Sequence, residues 1–210
     1  MSTITCQTAS KATSGVQEAL FAPEVPEPDP VVMSCPVGPV LETAWGSDGR
    51  ATATYDPTGA YRFRLSRVWA PGAGRVVFVM LNPSTATAVL VDPTVKRCLR
   101  FAREWGYGAV EVANLFALRS TDPKALYPHA APVGEGNDLA ILAACGAADL
   151  VVAAWGVHGA LTGRAEAVLG LFSSHGIIAH SLKVTKDGAP GHPLYLPSTA
   201  VPALLGPQQA

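Results

Sequence analysis

The chain has 210 residues, of which 49% are hydrophobic and 15% are charged, so it contains enough apolar material for one substantial core. Its formal net charge of -1 argues against an obligate nucleic-acid binder, because such proteins usually carry a strongly basic face. Four scattered cysteines without a CxxC pair predict neither a zinc site nor an iron–sulfur cluster. No apolar run reaches membrane-spanning length and no signal-peptide pattern opens the chain, so we expect a cytoplasmic protein without a membrane partner, metal or cofactor.

The N-terminal region differs in composition from the rest of the chain. Four of the nine residues from Ala22 to Pro30 are proline, which disfavours helix and inner strand and favours an extended, solvated chain. The sequence therefore predicts a poorly ordered arm over residues 1–40 and a single α/β domain over residues 41–205. The arm is either functional or a dispensable extension.

A two-residue hydrophobic period begins after this arm. The segments Ala51–Tyr55 and Tyr61–Leu65 alternate apolar or aromatic residues with polar ones, and Asp56–Gly59 between them has the composition of a turn. We expect an antiparallel hairpin at an edge of the main sheet, most of whose residues only cover the core.

The segment Arg75–Thr85 is the centre of the predicted fold. Its apolar run Val76–Met80 has no polar alternation, which is typical of a strand buried on both faces. The run ends in Leu-Asn-Pro-Ser-Thr, where Pro83 cannot continue a ladder and a hydroxyl residue can cap a helix. Open α/β sheets bind ligands at such strand ends, so we expect Asn82 and its neighbours to lie at a site.

Three further buried strands follow, with helices between them. The strands are predicted at Ala109–Ala113, Leu150–Ala154 and Ile177–Leu182, and the helices start at the cap Asp92, at Glu135 and at Arg164. This order predicts a three-layer α/β/α sandwich with a central, mostly parallel four-stranded sheet and the hairpin at its edge. Cys98 and Cys145 fall in the helical patterns and are predicted to be small core residues.

Polar residues at the predicted strand ends are the candidates for chemistry. Asn82 is either a functional amide or a turn-former that bonds its own backbone, and Asn114 is either functional or a strand-end cap. His192 lies between Gly191 and Pro193 in a polar loop, which disfavours a satisfied core histidine. His158, also at a strand end, is a secondary candidate.

Charged residues near these positions leave two alternatives open. Arg119 follows the second strand, and Lys183, Lys186 and Asp187 precede His192, so they either meet a phosphate or belong to a solvated loop. The chain has no GxSxG elbow, P-loop or GxGxxG string, which argues against a serine hydrolase, an NTPase and a dinucleotide oxidoreductase.

The core, about residues 61–197, resembles a bacterial domain family of unknown function. Five strings carry this resemblance in order: LNPSTA from Leu81, DPT..RC from Asp92, NLFALR from Asn114, AWG.HG from Ala154 and TKDG.P.HPLYLP from Thr185. The family carries no established activity.

The order of elements also resembles the uracil-DNA glycosylase superfamily. There the first strand ends in a turn whose Asn or Asp orients or activates water, a later strand ends in an Asn that binds the base, and an H-P-S-P loop brings a His to the base oxygen. The resemblance implies these roles for Asn82, Asn114 and His192, respectively. Leu194 stands where that family has Ser, and Pro83 is not followed by Gly. For this reason and because of the near-neutral charge, we expect a small or single-stranded substrate.

These observations together predict a glycosylase-like enzyme that acts on a nucleobase, nucleoside, nucleotide or single-stranded nucleic acid, most simply by hydrolysing an N-glycosidic bond. The alternative is a non-catalytic nucleotide- or nucleic-acid-binding module. The predicted catalytic residues are Asn82 and His192, and the predicted substrate-binding residues are Pro83, Ser84, Thr85, Asn114, Phe116, Arg119, His158, Lys186 and Pro193. The sequence leaves the oligomeric state open.

Overall fold

A computed structural model of the protein describes residues 40–46 and 49–206. The predicted N-terminal arm lies outside the described residues, except for Val40, which begins the first strand. The strands are β1 Val40–Gly46, β2 Gly49–Tyr55, β3 Arg62–Val68, β4 Arg75–Met80, β5 Ala109–Asn114, β6 Leu150–Ala153, β7 Ala179–Ser181 and β8 Ala203–Leu204, and the α-helices are α1 Pro93–Glu104, α2 Asn137–Gly146 and α3 Arg164–Ser174. Short 3₁₀ turns occupy Pro123–Leu126, Val157–Gly163 and Pro193–Tyr195.

All eight described strands form one mixed sheet, in the order β1-β2-β3-β5-β4-β6-β7-β8. Strand β4 pairs in parallel with β5 and β6, and β6 pairs in parallel with β7. The α/β class is as predicted, but the sheet is larger than the predicted four strands plus a hairpin. The two additional strands are β1, which pairs with β2, and β8, which pairs with β7. The β2–β3 hairpin joins the parallel strands because β3 pairs with β5 in antiparallel fashion.

Helices cover both faces of the parallel part of the sheet. Val76, Phe78 and Met80 of β4 pack in one core with residues of α1, whereas Val77 and Val79 pack in a second core with residues of α2 and α3. This two-sided burial explains why the strand is apolar at every position and not only at alternate ones. It also leaves the ends of the parallel strands as the places where polar side chains can meet a ligand.

Helix α1 begins as its sequence predicts. The side chain of Asp92 accepts a hydrogen bond from the backbone N–H of Val95 at 2.8 Å, and Pro93 occupies the first helical position. Cys98 lies in the α1-side core and Cys145 in the other, and burial raises the pKa of both thiols. Both are therefore core residues, as predicted.

One ionised group lies in the middle of the sheet. Glu111 of β5 is only 1% exposed, and its carboxylate accepts hydrogen bonds from Nε of Arg64 on β3 and from Nη1 of Arg75 on β4. The two arginines come from the strands that flank β5, so the cluster links the hairpin to the parallel strands. About a third of each arginine side chain is exposed to solvent, which lowers the desolvation penalty of the cluster.

None of the described helices is long and apolar enough to cross a membrane.

We expect Glu111→Gln to lower the free energy of unfolding by about 1–3 kcal/mol, because charge-assisted hydrogen bonds at a buried carboxylate are lost. Arg100→Gln is the matched control, since its ion pair with Glu104 lies on an exposed helix face, and it should change stability by less than about 1 kcal/mol. Urea denaturation of both variants checks this. Equal effects would show that the buried cluster does not connect the strands energetically.

Candidate functional site

A cavity of about 500 Å³ lies at the carboxyl ends of the parallel strands. Its wall is formed by the turn after β4, the first turn of α1, the loop after β5, the segment after β6 and the final loop. The lining includes Arg62, Met80, Leu81, Asn82, Ser84, Asp92, Thr94, Val95, Ser120, Thr121, Pro123, Trp155, Gly156, Val157, His158, Thr185, Gly191, His192, Leu194 and Tyr195. Its position is the one at which open α/β sheets bind ligands.

Asn82 presents a hydrogen-bond acceptor in this cavity. Its Nδ2 donates to the carbonyl oxygens of Pro83 at 3.1 Å and of Ser120 at 2.8 Å. Both partners are carbonyls, so the amide orientation is fixed with nitrogen towards them. Among the described residues nothing donates to Oδ1, which is therefore available to a water molecule or a ligand.

His192 presents a hydrogen-bond donor in the same cavity. Its Nδ1 accepts the backbone N–H of Leu194 at 3.3 Å and caps the turn Pro193–Tyr195, so the proton of the neutral ring is on Nε2. Burial lowers the pKa of the imidazole, and the nearby charge of Asp92 opposes this shift only in part. The ring is therefore neutral at pH 7, with Nε2–H as its donor.

Backbone contacts from three directions hold the loop that carries His192. The N–H of Gly191 donates to the carbonyl of Lys183 at 2.7 Å, and the N–H of Gly156 donates to the carbonyl of Pro190 at 2.8 Å. The guanidinium of Arg97 on α1 donates to the carbonyl of Leu196. These bonds tie the loop to β6 and to α1, so the imidazole is positioned by the scaffold.

Trp155 and Gly159 form the part of the wall that follows β6. The indole is 2% exposed, and a Cβ built on Gly159 would lie 2.2 Å from its Cδ1. Only glycine therefore fits beneath this ring. Nδ1 of the neighbouring His158 forms a 2.9 Å hydrogen bond with the hydroxyl of Tyr127.

Arg62 is the principal lining residue that sequence reasoning missed. It is 2% exposed, and among the described residues its guanidinium makes one hydrogen bond, from Nη1 to the carbonyl of Ala86 at 2.5 Å. Its Nε is buried without a partner, and burial lowers its pKa to about 10. The alternating pattern of β3 predicts an outward side chain, but a register shift pairs Tyr55 with Arg62 instead of Phe63.

The cavity brings together four of the eleven predicted site residues, namely Asn82, Ser84, His158 and His192. The seven that do not line it are Pro83, Thr85, Asn114, Phe116, Arg119, Lys186 and Pro193. Phe116 is fully buried in the core, and Lys186 is exposed. Arg119 lies over the ring of Tyr55 and donates to the carbonyl of Gly59, and so belongs to the hairpin side.

Asn114 occupies a different environment from the one predicted. It ends β5 opposite Met80, and both its Oδ1 and its Nδ2 are buried with no hydrogen-bond partner among the described residues. Met80 lines the cavity and Asn114 does not. The role predicted for Asn114 in binding a base stays a prediction.

Two further residues line the cavity although the sequence analysis gave neither of them a role in a site. Asp92 was predicted as a helix cap, but its carboxylate also lines the cavity. Tyr195 is 82% exposed, with its ring centroid 5.5 Å from that of His192. The available signal for it was an aromatic residue three positions after His192, within the segment Leu194–Leu196.

The described residues contain no group of three or more His, Cys, Asp or Glu side chains that could hold a metal ion.

Comparison with known families identifies the chain at the level of its domain. A model for a protein family of unknown function, DUF1643, matches residues 62–194, more than half of the chain. The chain belongs to the DUF1643 family. The matched range includes every lining residue of the cavity except Tyr195. No curated protein and no solved structure matches the chain, so the function of this DUF1643 domain must be argued from the site itself.

We expect Gly159→Ala to destabilise the protein by about 1–3 kcal/mol, because the new methyl group would displace the buried Trp155 ring. Gly170→Ala on α3 is the control, since a Cβ there meets no atom within 4 Å, and it should raise stability by up to about 1 kcal/mol. Thermal unfolding distinguishes the two. A Gly159→Ala protein as stable as wild type would contradict the assigned packing.

The free energy of unfolding should decrease as the pH is lowered through a window set by His192. Its folded-state pKa is below the ordinary value of 6.5, so the unfolded chain binds the proton first as the pH decreases. The contribution of the neutral His192 ring to the free energy of unfolding is complete above pH 6.5. It is lost as the pH decreases from 6.5 to the lowered folded-state pKa. His192→Asn, which keeps a capping side chain, should flatten this part of the curve when unfolding is measured from pH 4 to 8. An unchanged slope in His192→Asn would show that another group is responsible.

Proposed function

We propose that this protein is a glycosylase-like enzyme that hydrolyses the N-glycosidic bond of a nucleoside, a nucleotide or a single-stranded nucleic acid. The observation that carries the proposal is that the neutral His192 and the acceptor Oδ1 of Asn82 belong to one cavity at the carboxyl ends of the parallel strands. A fold related to the uracil-DNA glycosylase superfamily is part of the same proposal. It is supported by the resemblance in the order of elements and by the positions of these two residues.

Departure of the base is the step that needs a hydrogen-bond donor. When the bond between the sugar C1′ and the base nitrogen breaks, the electron pair leaves with the base and negative charge develops on its oxygen. A donor directed at that oxygen contributes roughly 3 kcal/mol to the transition state. The Nε2–H of His192 can supply this donor without an ionised imidazole, which agrees with the lowered pKa of the ring.

Capture of the sugar is the step that needs an ordered water molecule. The water oxygen bonds to C1′ and its proton is released, so the products are the free base and the sugar hydroxyl. The amide of Asn82 cannot take this proton, but its Oδ1 can orient the water beside the positively charged sugar. Asp92 is the only Asp or Glu among the described lining residues. Its carboxylate can accept the proton from water and pass it to the departed base anion, which gives the neutral free base.

The size and rim of the cavity fit a small or single-stranded ligand. About 500 Å³ lies within the range of small-molecule sites. The exposed ring of Tyr195 at the rim offers a stacking surface for a base that is not held in a duplex. The proposed partners are therefore nucleobase-containing small molecules or single-stranded nucleic acid.

Catalysis is tested by incubating the protein with nucleosides, nucleotides and oligonucleotides that contain uracil or hypoxanthine, and measuring free base by chromatography. We expect His192→Ala and Asn82→Ala each to lower kcat by roughly a hundredfold, with a much smaller change in KM, because both residues act mainly in the transition state. Melting curves verify that each variant is folded.

His175→Ala is the matched control, because His175 is exposed at the end of α3 and lies outside the cavity. It should retain wild-type kcat. Near-normal turnover in a folded His192→Ala protein would contradict the glycosylase mechanism. Binding of nucleotides without release of base would favour the alternative, a non-catalytic binding module.

A further inference from the structure

No carboxylate among the described residues forms an ion pair with Arg62. Its only side-chain hydrogen bond among the described residues goes to a backbone carbonyl. A buried cation is unfavourable unless it is paired, so such a group at a cavity wall indicates that the partner is supplied from outside. Arg67 gives the contrast. It is buried on the same strand, and its Nη2 donates to two backbone carbonyls, those of Thr87 and Ala88, but it does not line the cavity.

We infer that Arg62 makes the cavity an anion-binding site and that its ligand presents a phosphate group to this guanidinium. The inference deepens the proposed function by naming the substrate class, and in that respect rests on it: the substrate is a phosphate-bearing nucleotide unit rather than a free nucleoside. The phosphate is either that of a mononucleotide or that of a single-stranded backbone.

The surroundings of Arg62 favour phosphate among anions. Ser84 and Thr94 bring hydroxyl groups to the same cavity, and the first turn of the twelve-residue helix α1 forms part of the wall. Guanidinium and hydroxyl groups together form a donor set that binds phosphate oxygens.

The other charged and titratable groups near Arg62 act in both directions. Asp92 and Tyr55 favour its charged form, whereas Arg119 disfavours it. Asp92 also lines the cavity and repels an anion, although one of its oxygens is occupied by the N–H of Val95. Removal of this carboxylate charge therefore offers a second, opposite test of the same site.

The first test measures binding of inorganic phosphate to the full chain by calorimetry at constant ionic strength. Wild type should bind phosphate, and Arg62→Met should bind roughly ten- to a hundredfold more weakly, as expected for one charged hydrogen-bonding partner. Arg67→Met is the matched control and should retain wild-type affinity. Asp92→Asn, which keeps a good capping residue, should bind phosphate more tightly than wild type.

Stability measurements keep the result interpretable. Arg62→Met should melt at or above the wild-type temperature without ligand, because an unpaired buried cation is removed. If Arg62→Met does not fold, the phosphate affinity of Asp92→Asn is the deciding measurement. Affinity equal to or weaker than that of wild type overturns the inference. The inference also fails if phosphate does not bind to wild type, or if a folded Arg62→Met protein binds it as tightly as wild type does.

The second test identifies the source of the phosphate. A nucleoside is compared with its 5′-monophosphate and with a short oligonucleotide that lacks terminal phosphates. Tighter binding of the monophosphate, dependent on Arg62, identifies a nucleotide; Arg62-dependent binding of the oligonucleotide alone identifies a strand. Phosphate binding through Arg62 without any base release would refute the proposed hydrolysis and leave this site intact. Base release with equal kcat/KM from nucleosides and nucleotides, without phosphate binding, would refute the phosphate site at Arg62. That result would leave the proposed hydrolysis intact.

Discussion

Burial of β4 on both faces is the constraint on which the rest of the structure depends. Val76 to Met80 are all buried, with alternate side chains in the α1 core and in the α2–α3 core. A strand in this position can carry no polar side chain along its length, so polar groups are confined to its ends and to the flanking strands. The turn that begins at Asn82 is the first position at which this central strand can present an amide to solvent or ligand, and the cavity forms there.

Buried charged side chains on β5 and β3 meet the same constraint in two ways. On one face of the sheet, Glu111 is neutralised by Arg64 and Arg75, and this cluster is complete within the protein. At the cavity, Arg62 is as deeply buried but has only a carbonyl partner. Buried charges are tolerated when paired, so the first arrangement is what structure alone requires and the second departs from it. This difference in pairing, not the presence of arginine as such, is the basis on which we propose an anion site at Arg62.

Much of this arrangement can be predicted from the sequence, because strand ends followed by Asn-Pro or Gly-His-Pro are local signals. They place Asn82 and His192 at one edge of the sheet without knowledge of side-chain orientation. The position of Arg62 could not be predicted in this way, since a register shift reverses the expected alternation of β3. The sequence does not show the environment of Asn114: the end of β5 reaches the same edge, but its side chain is enclosed. The two-residue strand β8 has too few residues to show a period.

The chemistry of the cavity follows from environments that keep its titratable groups in different protonation states. Burial lowers the pKa of His192, so this ring is a neutral donor at pH 7, whereas Arg62 retains its charge even with its pKa lowered to about 10. A neutral donor can stabilise a charge that develops only in the transition state without binding an anion tightly beforehand. A permanent cation does the opposite and favours a ligand that is already anionic. In the proposed function, Arg62 holds the phosphate of the substrate and His192 acts on its base, because the two tasks need donors of different charge.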